Sequence, residues 1–234
     1  MQNQSSSTHS EKPILYNTAM VKAVLSGRKT QTRRVIKPQP YKHKYGSIGM
    51  FVWRWLYKKK YEFQDQQNWI NACPYGQVGD RLWVRERFCI GEIVAGDSLP
   101  EEEDPIYIEQ LADSKCAIPY EYAISNDIGI ENVKWKPSIF MRREYSRTNL
   151  EITNIRVERV QDITPEDALA EGINMESEHA LMCIDIADSS YNNSLPNNSP
   201  EKAVFIKLWD SINQKRGYGW DVNPWVWVVE FKVL

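Results

Sequence analysis

Trp225-Val226-Trp227-Val228-Val229-Glu230-Phe231-Lys232-Val233-Leu234, at the C-terminal end of the sequence, carries the reading of the fold. A half-buried strand alternates apolar and polar residues, whereas here Val and Trp fill both alternating sets, so the run predicts a strand buried on both faces. Such a strand needs neighbours. Residues 149–160 supply one: Leu150, Ile152, Ile155 and Val157 alternate except near Thr153-Asn154, which predicts a long strand with a bulge. Gly79-Asp80 predicts a turn into another, with Leu82, Val84 and Glu86 on one side and Trp83, Arg85 and Arg87 on the other. Residues 32–36 read as a further strand, ended by Pro38 and Pro40, and residues 106–108 as a short one.

Helical signals lie between the strands. In residues 17–27, a cap at Asn17 or Thr18 precedes Met20, Val21, Val24 and Leu25 at helical spacing, and Gly27 stops the helix. Thr164-Pro165-Glu166-Asp167 opens a second helix with a capping hydroxyl, a first-turn proline and acids at the positive end of the dipole; Gly172 ends it. Residues 200–215 form a third, with Val204, Phe205, Leu208, Trp209 and Ile212 along one side. The class is α+β, weighted towards β.

Composition narrows the function classes. The 234 residues are 42% hydrophobic and 26% charged, enough for a sizeable core, and residues 13–234 read as a single domain behind a disordered polar tail, 1–12. No apolar run approaches a membrane span or a signal peptide, so a cytoplasmic protein with no membrane partner is expected. Lys and Arg total 29 against 31 Asp and Glu, which excludes a basic coat that grips phosphate indiscriminately and leaves a local patch as the route to nucleic acid. Cys73, Cys89, Cys116 and Cys183 lack the close pairing of a zinc site, and His9, His43 and His179 are scattered, so neither a metal nor another cofactor is expected. Nine Trp and twelve Tyr suit both a packed core and stacking surfaces for bases. Residues 41–75, with Lys58-Lys59-Lys60 among many rings, read as an irregular hairpin or insertion. Residues 96–104 read as an acidic loop and 185–200 as a Ser/Asn/Pro-rich one.

The chemistry-bearing segment is Gly27-Arg28-Lys29-Thr30-Gln31-Thr32-Arg33-Arg34, immediately after a helix stop. Arginine grips phosphate or a base edge with paired donors, lysine acts as point charge or base, and threonine offers a hydroxyl. An exposed basic loop is the plain alternative. Trp83 and Arg85 share a strand face suited to stacking on a base and meeting phosphate, with Glu86 placed to accept from an exocyclic amine. The other reading makes Trp83 core and pairs Glu86 with a neighbouring arginine.

The runs Leu25-Ser26-Gly27-Arg28-Lys29-Thr30-Gln31-Thr32-Arg33, Val78-Gly79-Asp80-Arg81-Leu82-Trp83-Val84 and Trp225-Val226-Trp227-Val228-Val229-Glu230-Phe231 resemble, in that order, the ASCH domain family of PUA-like β-barrels. The longer matches GRKTQTRRVIKPQP, GDRLWVRE, WKPSIFMRR and GYGWDVNPWVWVVEF are similar to longer ASCH-like proteins encoded by phages and prophages. The resemblance implies a PUA-like barrel with flanking helices and large insertions at about 41–75 and 89–135. It also implies an activity, since a compact bacterial branch of the family hydrolyses N4-acetylcytidine with a lysine and a threonine of this segment and a glutamate of a later helix. The matching residues are Lys29, Thr32 and Glu171.

The implied chemistry is amide hydrolysis on a modified cytosine: Thr32 as nucleophile, Lys29 as a base whose pKa must fall below its usual value of about 10.4, and Glu171 as the acid that protonates the leaving amine. Glu171 also reads as a plain residue at a helix C-terminus. The alternative function is a non-catalytic module for RNA or single-stranded nucleic acid, with Arg28, Arg33, Arg34, Trp83, Arg85 and Glu86 as its contacts. A third is a phage-encoded protein directed at a host factor. Expected partners are therefore a modified nucleoside or nucleic acid, with any protein partner unknown.

Overall fold

The computed structural model describes residues 9–45, 50–57, 61–63, 66–91, 116–119, 135–176 and 199–234. The lysine run 58–60, the acidic stretch 96–104, the short strand expected at 106–108 and residues 185–198 lie outside them.

Five strands make the principal sheet, in the order β1 (Glu11–Leu15), β6 (Arg81–Arg85), β9 (Asn149–Arg159), β10 (Trp225–Val233), β2 (Gln31–Val35). β1 runs parallel to β6 and every other pairing is antiparallel. Among the described strands the sheet is open, with β1 and β2 at its edges. β10 lies between β9 and β2 and is covered on both faces. Trp225, Trp227, Val229 and Phe231 pack with Tyr16, Val21, Leu82 and Leu150, while Val226 and Val228 pack with Val160, Ile163, Phe205 and Trp209. In the β9–β10 pairing Glu230 faces Asn154 and Phe231 faces Ile152, so Thr153 is the extra residue of a bulge. The bulge restores the alternation that the sequence breaks there.

The helices end where local chemistry ends them. In α1 (Thr18–Leu25) the Asn17 side chain accepts the Met20 N–H at 2.9 Å, and Gly27 follows the helix at φ +72°. In α3 (Pro165–Ala170) Thr164 Oγ1 accepts the Asp167 N–H at 3.1 Å, and Gly172 takes φ +83°. α4 (Pro200–Asn213) is capped by Ser199 and lays Val204, Phe205 and Trp209 onto the second face of the sheet.

Two expectations shift. The strand β1 begins at Glu11, so the last residues of the segment read as a tail pair with Arg81 and Leu82; of its five residues only Ile14 is buried, too little apolar pattern for the sequence to show. The described residues of 41–75 are largely regular: β3 (Tyr41–Tyr45), β4 (Met50–Tyr57) and β5 (Tyr61–Phe63) form an antiparallel sheet, followed by α2 (Gln66–Asn71). This segment also supplies core, because Trp69 is fully buried and meets Trp225 edge to face at 5.6 Å. The second inserted segment begins in a hairpin of β7 (Phe88–Gly91) with β8 (Cys116–Pro119) and is closed at its base by paired hydrogen bonds between Phe88 and Lys136.

Ile152 is completely buried beside the bulge, whereas Val233 at the strand end is 47% exposed. Ile152→Ala should lower unfolding free energy by about 2–5 kcal/mol, and Val233→Ala by less than about 0.5 kcal/mol. Equal urea-unfolding midpoints for the two variants would contradict the placement of this core.

Candidate functional site

β2 is short and polar, yet its first three residues are buried. Period-two alternation splits it: Ile36, just beyond the strand, packs with the Tyr16 cluster, Thr32 and Arg34 lie beside Tyr16, and Gln31, Arg33 and Val35 face α3 and α4. Lys29 precedes the strand, held by its N–H to the Ala23 carbonyl at 2.9 Å and by an isolated antiparallel bridge to Glu171. The GRKT segment is thus strapped between the end of α1 and the end of α3 with Lys29 buried, while Gly27, Arg28 and Thr30 stay exposed.

The Lys29 side chain has no solvent exposure. Its Nζ donates to the Glu171 carbonyl at 2.7 Å and to Glu171 Oε2 at 3.0 Å. Burial pushes the ammonium below the ordinary lysine value, against the opposing pull of the Glu171 carboxylate. Gly172 makes this approach feasible, since a Cβ there would lie 2.7 Å from Lys29 Cβ and 2.8 Å from Ala23 Cβ. Tyr16 covers the other side, its ring centroid 5.6 Å from Lys29 Nζ and 5.4 Å from the Arg34 guanidinium carbon. Burial raises the Tyr16 phenol, and its hydroxyl sits beside Thr32 and Arg34 without a well-formed hydrogen bond.

Arg33 is equally enclosed and is surrounded by acids: Asp167 Oδ2 at 2.7 Å, Glu158 Oε2 at 3.2 Å and Glu171 Oε1 at 3.3 Å. Arg156 extends the network to Glu158, Asp167 and Glu230. Burial works to raise the Asp167 carboxyl, but the Arg33 guanidinium and, after it, Arg156 hold it below its ordinary value.

Thr32 and Glu171 line one pocket of about 380 Å³, which also takes in Arg33, Arg34 and Val35. Four successive residues of an edge strand, with Met20 and Tyr75 on one side and Phe205 and Trp209 on the other, mean that the pocket wraps around the edge of β2. Lys29 lies behind its wall and reaches it through Glu171. The structure therefore brings Lys29, Thr32 and Glu171 together.

The remaining sequence candidates divide. Arg34 lines the pocket and donates to the Leu15 carbonyl at 2.8 Å, while Arg28 is exposed, its Nε bonded to Ser26. Arg33 is spent on carboxylates and has no charge free for a phosphate. Trp83 is buried under the Arg85 guanidinium, 4.6 Å from its ring centroid, and Arg85 donates to the Ile139 carbonyl. Glu86 is buried in a two-pronged pair with Arg147 at 2.9 and 3.0 Å. These last three lie outside the pocket and hold the fold, as the plainer reading of them has it. The residues that sequence reasoning missed are Tyr16, Tyr75, Lys37 and Arg216. Their only signal is polarity or aromaticity beside the motif or after a helix end, which many surface residues share. Among the described residues, no group of His, Cys, Asp and Glu is placed to hold a metal ion, and no helix is long and apolar enough to cross a membrane.

Comparison with models of protein families, with curated proteins and with solved structures finds no match for the chain.

Two outcomes follow from this geometry. Gly172→Ala meets both a left-handed backbone and the Lys29 side chain, whereas Gly217→Ala, at φ +79° with no atom near, meets the backbone term alone. The first variant should lose more stability than the second, whose cost is about 1–3 kcal/mol; equal melting temperatures would show that Lys29 is not packed there. Asp167, depressed below 3.8 in the fold, lends stability that is full above that value and is lost as pH falls through the lower folded one. Urea unfolding over acid pH should therefore show a flatter slope for Asp167→Asn than for wild type, and identical slopes would sink the assignment.

Proposed function

We propose that this chain is an ASCH-type, PUA-like domain acting as an amidohydrolase on an acylated cytosine nucleoside. The observation that carries the reading is the buried Lys29–Glu171 pair, which meets the pocket wall where Thr32 also lies. The barrel assignment draws support from Arg34, which links the β2 edge of the sheet to the Leu15 carbonyl at the end of β1.

The pair suits the chemistry because its two protonation arrangements are the two the reaction needs. As an ion pair it is ammonium and carboxylate; transfer of one proton across the 3.0 Å contact makes it a neutral amine and a carboxylic acid, and burial disfavours the Lys29 ammonium. In that form Lys29 Nζ takes the Thr32 proton as Oγ1 attacks the acyl carbon. Glu171 gives its proton to the departing N4 amine as the C–N bond breaks. The products of this half are an acyl ester on Thr32, a free cytosine amine and the ion-paired Lys29–Glu171. Water then attacks the ester, giving a proton to Glu171, while Lys29 returns one to Thr32 Oγ1. Carboxylic acid leaves and the neutral pair is restored. A pocket of this size suits a small ligand better than a nucleic-acid strand, which needs an open groove.

The test is release of cytidine from N4-acetylcytidine. Lys29→Arg keeps the charge and loses the base, and Thr32→Val loses the hydroxyl at nearly constant volume, so each should lower kcat by about 100-fold or more. Thermal unfolding of both variants checks that they fold. Wild type that releases nothing, yet retains single-stranded RNA with an affinity falling steeply in salt, would replace this reading with the binding module.

A further inference from the structure

The pocket carries more positive charge than its own structure consumes. Among the described residues four cations line it, Arg33, Arg34, Lys37 and Arg216, against a single carboxylate, Glu171, which is engaged by Lys29 and Arg33. Arg33 is balanced by its three acids. The other three cations have no carboxylate partner among the described residues. Arg34 is held by the Leu15 carbonyl and the face of Tyr16, and its Nε is buried without a hydrogen bond. Lys37 is exposed, its Nζ 4.9 Å from the Tyr218 ring centroid. Arg216 is exposed in the turn after α4.

We infer that the ligand of this pocket is anionic: a nucleoside bearing a phosphate monoester, gripped by Lys37 and Arg216 at the mouth with Arg34 further in. Guanidinium and ammonium groups bind phosphate oxygens as strong charge-assisted donors, and three of them lining one pocket match a dianion better than an uncharged sugar. The helix itself does not supply the attraction, because α4 turns its C-terminal, carbonyl end to the pocket; the anion depends on side chains. The remaining wall is mainly apolar and includes the rings of Tyr75, Trp209 and Trp227, which suit a base. The identity of the base rests on the function proposed above, whereas the phosphate preference stands on the cations alone.

Calorimetric titration of the full chain with cytidine 5′-monophosphate, cytidine, inorganic phosphate and a short oligocytidylate lacking terminal phosphates separates the cases. The monophosphate should bind about tenfold tighter than cytidine or more, with a salt dependence that cytidine lacks. Lys37→Gln and Arg216→Gln should each narrow that ratio several-fold, and Arg142→Gln, at an exposed pair with Glu144 away from the pocket, should not. Equal affinities, no binding of the monophosphate, a ratio untouched by both pocket variants, or an oligonucleotide binding as tightly as the monophosphate would each overturn the inference. Hydrolysis of N4-acetylcytidine and of its 5′-monophosphate is scored separately. Preference in binding without turnover removes the amidohydrolase and keeps the phosphate site; turnover without preference does the reverse.

Discussion

An ammonium with no solvent exposure is tolerable only where acceptors replace its water, and Lys29 finds both of its acceptors on one residue, the carbonyl and the carboxylate of Glu171. That requirement propagates outward. Glu171 must sit at the C-terminus of α3 so that its backbone and side chain face the same way, and the residue after it must lack a Cβ, which Gly172 does. The Thr30 N–H then reaches the Ala170 carbonyl and the Thr30 carbonyl accepts from Phe231, so the segment joins α3 to the central strand. Removing the Glu171 carboxylate would leave the Lys29 ammonium buried without a counter-charge, at a cost of about 3–5 kcal/mol, whereas removing the Lys29 charge leaves Glu171 paired with Arg33. A pair of apolar residues would hold the same elements together more cheaply, so stability alone gives little reason for its presence.

Arg33 and Arg34 are adjacent and chemically identical, and the pleat assigns them opposite work. One faces Asp167, Glu158 and Glu171 and vanishes into the fold; the other faces Tyr16 and the pocket. A cluster read as a single basic patch is therefore half structural. With an overall charge of −2, the general field of the protein gives acidic ligands no attraction, so the phosphate site inferred above rests on the geometry of a few side chains.

Much of the architecture was legible because it is set locally. Asn17, Thr164 and Ser199 cap helices by bonding backbone N–H groups three residues on, Gly27 and Gly172 end them at positive φ, and the broken alternation at Thr153 announces its bulge. The double burial of β10 was equally plain, since nothing but burial explains Val and Trp on both of its faces. What escaped depends on partners distant in the chain. For Glu86 the sequence offers an arginine partner but not which one, since Arg147 arrives from 61 residues away, and Trp69 looks like part of an insertion until it meets Trp225. Of the site, Lys29, Thr32 and Glu171 came from a motif resemblance. Tyr16 and Arg216 carry no local mark, because an unmatched charge is recognisable only after every nearby carboxylate has been assigned.

The edge position of β2 ties these strands of evidence together. A central strand has both rims hydrogen-bonded, so its residues reach only the two faces; an edge strand can offer a substrate four consecutive side chains at once. Exposed edges invite pairing with other chains, and this one is blunted by helix residues on both sides and by the cations Arg34 and Lys37 along it. The same features that guard the edge also shape the pocket: aromatic walls from α4 and from the turn after α2, the cations Arg34, Lys37 and Arg216, and Thr32 in the wall that also holds Glu171. Protection of the edge and construction of the site are one arrangement, which is why a polar strand of five residues lies in contact with so much of the molecule's buried charge.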